Sequence, residues 1–423
     1  MSELQTGTSN AAPDKKRKQG NYLILSIISA SHGIFHFMSQ SFSVMLPAIK
    51  ETFGINPVQV GALITVKTLA SGIASIPGGM ISDYFRRHRG RLMMICMIAF
   101  ALGWFIVSIS PVYALLIVGM IVLSISGSVW HLPSLAVLGA RFAKTRGTAM
   151  AIHGAGGSIG DILGPMVTGV LLGFMSWRGI LSISSIIPFV MGIVIVWLLT
   201  GTGDGKKTAA EQEEDDEKVD FRLQLQAVKE VMRKTHIWRV NIVAGFRGMC
   251  FDIISTFFPL FMKDELGLSS SSIGFHFGLL WAIGITVSPL MGYLSDRFGR
   301  KRVLVPAVLY SSVLLVALAL FGRGIMFTIL IALLGVSIRS DYSILTATIL
   351  DLVGDKVATT MLGILSFTRF MMAAAAPLIA GALYQYAGMD ATLYFVAALF
   401  AIAGIIFMTA DLTKKAVDTE ASA

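Results

Sequence analysis

A chain of 423 residues that is 55% hydrophobic and only 14% charged, with a mean hydropathy of +0.74, is not an ordinary soluble domain. Such domains carry about 25% charged residues. The two cysteines, Cys96 and Cys250, both lie in apolar stretches and argue against a disulfide framework, and the net charge of +9 reads as membrane topology, not as a nucleic-acid footprint.

Residues 1–21 are polar and contain Lys15-Lys16-Arg17-Lys18, so no cleaved signal peptide is expected. The apolar runs that follow predict helices at 22–47, 57–82, 91–109, 112–138, 146–173, 178–200, 238–262, 270–296, 302–321, 325–350, 357–385 and 390–411, here called segments 1 to 12. Lipid offers no partner for an open backbone, so runs this long without strand-like alternation form helices. The expected fold is an all-α membrane protein: twelve transmembrane helices in two pseudo-symmetric six-helix bundles, 22–200 and 238–411, with tails at 1–21 and 412–423.

Residues 201–237 form the longest loop. An acidic block, Glu211 to Glu217, precedes an amphipathic stretch with Phe221, Leu225, Val228, Val231 and Met232 on one helical face. The loop is read as a tether whose amphipathic part lies along the inner membrane surface.

Of the 34 Lys and Arg residues, 26 fall on the side that holds the N-terminus. Only Lys50, Arg178, Lys263 and Arg323 fall on the other side, and Lys67, Arg247, Arg339 and Arg369 lie within segments. Basic residues favour the cytoplasmic side. The expected location is the cell membrane, with both termini cytoplasmic.

The two halves repeat a phrase. Gly79-Met80-Ile81-Ser82-Asp83 runs into Arg86, Arg87, Arg89 and Arg91, and Gly292 to Asp296 runs into Arg297, Phe298, Gly299, Arg300 and Lys301. A shift of 213 also superposes Gly54 on Gly267 and Gly61 on Gly274; a shift of 212 superposes Lys144 on Lys356, Pro165 on Pro377 and Gly169 on Gly381. Transporters with repeated halves hold substrate near the midplane between them.

Ionisable residues within lipid are costly and usually face a cavity or a partner. Segment 1 carries His32 and His36, segment 2 Lys67, segment 4 His131, and segment 5 His153 and Asp161. Segment 7 carries Arg247 and Asp252, segment 8 His276, segment 10 Arg339 and Asp341, and segment 11 Arg369. His32 and His36 share a helix face and either carry protons, hold an anion or form a plain helix contact. Arg247/Asp252 and Arg339/Asp341 do not share a face, so each is expected to pair across helices, for example Arg339 with Asp252. Asp161, Asp252 and Asp341 are the candidate switchable carboxylates, Asp161 serving helix packing as the alternative. Arg369 meets either a substrate anion or a salt-bridge partner. Asp252 and Asp341, with His32 and His36, are expected to form one titratable cluster facing Arg247 and Arg339. His153 and His276 are expected to be packing residues.

These features resemble the major facilitator superfamily over essentially all the segments. The Gly79/Asp83/Arg87 and Gly292/Asp296/Arg297/Gly299/Arg300 loops are similar to that family's signature between helices 2–3 and 8–9, and the resemblance implies that they hold the cytoplasmic side closed. Tyr84 and Arg86 depart from the pattern in the first copy. The resemblance also implies that segments 1, 4, 7 and 10 line a central cavity while 3, 6, 9 and 12 lie outside. The run Gly154 to Gly169, with Gly160, Gly164, Pro165 and Gly169, is similar to the helix-5 motif of the family's antiporters, with Thr168 in place of one glycine; close helix packing needs the same glycines. Ser31-His32, Gln40-Ser41, Leu46-Pro47 and Trp130-His131 look like the fosmidomycin-resistance branch of drug exporters.

The chain shows no phosphate-binding loop and no metal-ligand spacing of Cys or His, so neither an enzyme, a cofactor nor ATP-driven transport is expected. The reading is a secondary active transporter of a small organic molecule, with proton-coupled export by alternating access. Its partners are a small-molecule substrate, protons and the bilayer, and the expected state is a monomer. The alternatives are a proton- or sodium-coupled importer of an organic anion, and a transporter-like sensor.

Overall fold

The computed structural model describes residues 11–85, 88–201, 229, 233–353 and 358–412, and among these there is helix and no strand. Segments 1 to 5 are Ala11–Phe53, Pro57–Tyr84, Arg89–Ile109, Tyr113–Arg141 and Arg146–Leu171. Segment 6 is broken at Ser185 into Trp177–Ser184 and Ile186–Gly201. Segments 7 to 9 are Thr235–Asp264, Ser270–Phe298 and Arg300–Phe321. Segment 10 is broken at Arg339 into Gly324–Ile338 and Ser340–Val353, and segments 11 and 12 share the run Ala358–Thr409, interrupted at Gly388 (φ 81°). The loop expected at 201–237, with its acidic block and amphipathic stretch, lies almost wholly outside the described residues.

Ten of the helical runs are long and apolar enough to cross a membrane, Met361–Thr409 covering two segments. Segment 5 is not among them, because its glycines, His153 and Asp161 lower its hydropathy.

The repeat is visible at the turns. Gly54 and Gly267 adopt the same positive φ, 59° and 63°, which glycine reaches without steric cost. Two residues later Asn56 and Ser269 cap segments 2 and 8, accepting from the backbone N–H of Gln59 and Ser272. Packing repeats as well. Segment 1 packs on 5, 3 on 4 and 6, and 2 on 4; in the second half 7 packs on 11, 9 on 10 and 12, and 8 on 10. The halves meet along two seams, 2 against 11 and 5 against 8.

Four small residues make these seams tight at the end away from the termini. A Cβ at Gly61 would lie 2.2 Å from the Pro377 carbonyl oxygen, and one at Gly381 2.4 Å from that of Pro57. At the other seam, a Cβ at Gly274 would lie 2.4 Å from the Pro165 oxygen, and one at Gly169 2.6 Å from that of Ser270. Lys50 of segment 1 meets Asp264 of segment 7 at 2.5 Å on the same end. Toward the termini the same four helices carry Gly79, Gly154, Gly292 and Gly363, where a Cβ would meet nothing within 4 Å. Met80, Tyr84 and Tyr293 are exposed there. Among the described residues, the seams are in close backbone contact at the far end and have none at these four glycines.

Candidate functional site

The contact between segments 1 and 5 builds the polar centre. Gly156, Gly160 and Gly164 recur every four residues and so share one face. A Cβ at these positions would lie 2.2, 2.1 and 2.5 Å from the carbonyl oxygens of Ser29, Gly33 and Phe37. Only glycine permits that approach. Ser41 Oγ donates to the Gly164 carbonyl at 3.2 Å and Thr168 Oγ1 donates to Ser41 at 2.7 Å, so the threonine that replaces a glycine is used as a tie. At Gly157 a Cβ would strike the His32 and His36 rings, at 2.7 and 3.1 Å, so this glycine makes room for them.

The approach points Asp161 at segment 1. His36 Nδ1–H donates to Asp161 Oδ1 at 2.8 Å, and Gln40 Nε2 donates to the same oxygen at 3.2 Å. Oδ2 pairs with Arg339 of the other half. Asp161 is fully buried, with its charge met by donors on both oxygens. Beyond it, His36 Nε2 lies 3.0 Å from His32 Nε2, and His32 Nδ1–H donates to the His153 carbonyl at 2.8 Å. His131 approaches the His32 ring edge-on at 5.0 Å, and the His153 ring stacks on it at 4.1 Å.

Arg247 and Asp341 form a second, buried pair between segments 7 and 10. Arg247 also donates to the Ile338 carbonyl at 2.8 Å and lies over the Phe400 ring at 4.4 Å. Asp252 sits on the seam with segment 2. It accepts from Thr68 Oγ1 at 2.9 Å and is attracted by Lys67 and Arg369. Arg369 lies 5.7 Å from the Phe251 ring centroid.

Two expectations are corrected. Arg339 pairs with Asp161, not Asp252, because it lies at the break in segment 10 and reaches across to segment 5. The single expected cluster is divided: His32, His36 and Arg339 gather around Asp161, while Asp341 and Arg247 are consumed by each other and Asp252 faces segment 2. The His153 ring stacks on His32, and its backbone carbonyl accepts from His32 Nδ1. His276 is held by the Ser272 carbonyl and Thr328 Oγ1, both at 2.8 Å, away from this centre.

In the second loop copy, Arg300 pairs with Asp296 four residues before it, with Asp351 at 2.9 Å and with Ser295 Oγ at 2.8 Å. Gly299 takes φ 95° to make the turn, and Arg297 lies over its neighbour Phe298. All these contacts stay in the second half. Arg87 and the Asp83 side chain lie outside the described residues.

The polar chain from Arg339 to His131 joins segments 10, 5, 1 and 4 at the boundary of two repeated halves, the geometry of a membrane carrier. The family model described as Major Facilitator Superfamily matches residues 28–321 and 240–423, and the chain belongs to that family. It is a multi-pass membrane transporter, not an enzyme. The chain is 23% identical over 409 residues to the uncharacterized MFS-type transporter YfnC of Bacillus subtilis, covering 94% of this chain and 96% of that one. It is 23% identical to the glycerol-3-phosphate transporter of Bacillus subtilis, covering 80% of each. A solved bacterial homologue of the human lysosomal transporter Spinster, inward-facing and occupied, superposes with a TM-score of 0.79 at 15% identity, covering 92% of this chain and 96% of that one.

Proposed function

We propose that this chain is a proton-coupled carrier of a small organic anion that works by alternating access of its two halves. One observation carries the reading: Asp252 accepts from Thr68 of the other half while two cations, Lys67 and Arg369, attract it. Asp161 and Arg339 cancel, and so do Asp341 and Arg247. Asp252 is attracted by two cations, Lys67 of one half and Arg369 of the other. An anionic substrate competes with Asp252 for these cations. A proton on Asp252 frees both cations, so proton and anion bind better together than either does alone. Thr68 of the other half bonds the same carboxylate, so its protonation also alters a contact between halves and biases their rocking.

The relative named as a glycerol-3-phosphate transporter supports an anionic cargo. The glycines of segment 5 serve its contact with segment 1, a need that importers and exporters share, so they give export no special support. With the basic-rich side cytoplasmic, the end away from the tight seams faces inward. The loops around Asp83 and Asp296 then engage when that end closes. A cysteine at position 16 that reacts with an impermeant reagent added to intact cells overturns this orientation.

The test is uptake by proteoliposomes of glycerol 3-phosphate and a panel of small carboxylates and phosphates, with imposed proton or sodium gradients. Accumulation is expected to follow the proton gradient. Asp252→Asn should keep substrate exchange and lose accumulation, and Arg369→Gln should raise the half-saturating concentration at least tenfold. Accumulation by Asp252→Asn at the wild-type level, or uptake driven by sodium alone, overturns the proposal.

A further inference from the structure

We infer that His32, His36 and His131 form a binding site for a divalent transition-metal ion of the zinc class, reached past the partly exposed His36 side chain. The site follows from the hydrogen-bond inventory. His36 Nδ1 faces a carboxylate and His32 Nδ1 faces a carbonyl, both acceptors, so each Nδ1 carries a proton. Neutral rings then present both Nε2 atoms as acceptors, and these point at each other across 3.0 Å. Two lone pairs at that separation repel unless a cation lies with them.

A proton bridges only two nitrogens. Here a third imidazole converges: one ligand atom from each of His32, His36 and His131 lies within 4.8 Å of the others. A metal with bonds of about 2.0–2.1 Å in tetrahedral geometry holds its ligands about 3.4 Å apart. The gap is within reach of a ring rotation. Neutral imidazole is the ligand that zinc, copper and nickel take, and three such ligands with an open fourth position are an established arrangement for zinc.

The surroundings fit as well. Imidazoles that ligate metals donate their other N–H to a carboxylate or a backbone carbonyl, which fixes the ring. His36 does so to Asp161, and His32 to His153. Arg339 neutralises Asp161 without touching the rings, and Gln40 bonds the same carboxylate. The His153 ring stacks on His32, its buried Nδ1 unbonded among the described residues. The His36 side chain is 31% exposed, which supplies an entry path. None of these residues belongs to the Asp252 charge set, so this site and the anion reading stand or fall separately.

The experiment uses the purified full chain, free of any polyhistidine tag, titrated with Co2+ and then with Zn2+ in competition. We expect about one equivalent of Co2+ with the visible absorption of a tetrahedral nitrogen site, displaced by Zn2+. His32→Ala, His36→Ala and His131→Ala should each weaken binding at least tenfold. Asp161→Asn should weaken it about 10- to 100-fold through loss of ring orientation. His88→Ala, in an exposed loop, should bind as wild type. A wild-type chain with no tetrahedral spectrum overturns the site whatever the variants do. So does a spectrum that monodisperse His36→Ala and His131→Ala protein both retain.

Discussion

Gly61→Ala should push the carrier away from the state in which its far end is closed. The added Cβ would lie 2.2 Å from the Pro377 carbonyl oxygen, and real Cβ atoms essentially never approach within 3.0 Å. Segments 2 and 11 must therefore part by at least about 0.8 Å, and backbone cannot yield as a flexible side chain can. Overpacking of this kind costs roughly 1–3 kcal/mol. The strain exists only while the far end is closed, so the ratio of closed to open should fall by about 5- to 150-fold. Gly274→Ala should act with the same sign, because its Cβ would lie 2.4 Å from the Pro165 oxygen at the pseudo-symmetric seam. Spin labels at Glu51→Cys and Lys263→Cys, both exposed and on opposite halves at the far end, report the separation. The buried Cys96 and Cys250 are replaced by alanine for this purpose. Both glycine variants should shift the distance distribution to longer values, while Gly79→Ala, where a Cβ meets nothing, should not. Distributions for Gly61→Ala and Gly274→Ala that match wild type refute the argument.

Two further outcomes follow from the ion pairs. Arg247→Ala leaves Asp341 buried without its guanidinium partner and should cost about 3–5 kcal/mol, whereas the double variant Arg247→Met, Asp341→Leu should recover most of it. Thermal unfolding in detergent checks this, and an unchanged melting temperature in Arg247→Ala contradicts it. Asp296→Asn leaves Arg300 its second partner, Asp351, and the lost pair is exposed, worth about 0.2–1 kcal/mol. Expression and melting should hold while transport slows; transport at the wild-type rate would leave the loop a topological signal only.

Much of the site was present in the sequence as separate marks. His32, His36, His131, Asp161 and Arg339 stood out as ionisable residues in apolar runs. The glycines of segment 5 stood out by density. What could not be read was their use together. Gln40 and Thr68 are ordinary polar residues until the fold places them on Asp161 and Asp252. His153 carried no signal beyond its type, because its role depends on stacking over a ring 121 residues earlier in the chain. No metal-ligand spacing shows in the chain because the third imidazole, His131, comes from another segment, and only the fold brings it to His32 and His36.

The sequence by itself determined the apolar segments, their pairing into two repeats and the expected side of the basic loops, because burial in lipid and chain duplication act on local composition and order. The turns at Gly54 and Gly267 belong to the same class, since a positive φ is a property of one residue. Only the tertiary structure decided which charges meet. Asp161 could pair with any cation its helix turned toward, and it found Arg339 because the glycine face of segment 5 seats on segment 1, which fixes its rotation and points Asp161 at His36 and Gln40 within reach of Arg339. The packing of segments 7, 10 and 2 likewise set Asp341 on Arg247 and Asp252 on Thr68, since a helix's rotation about its axis follows from packing against its neighbours and not from its own hydropathy.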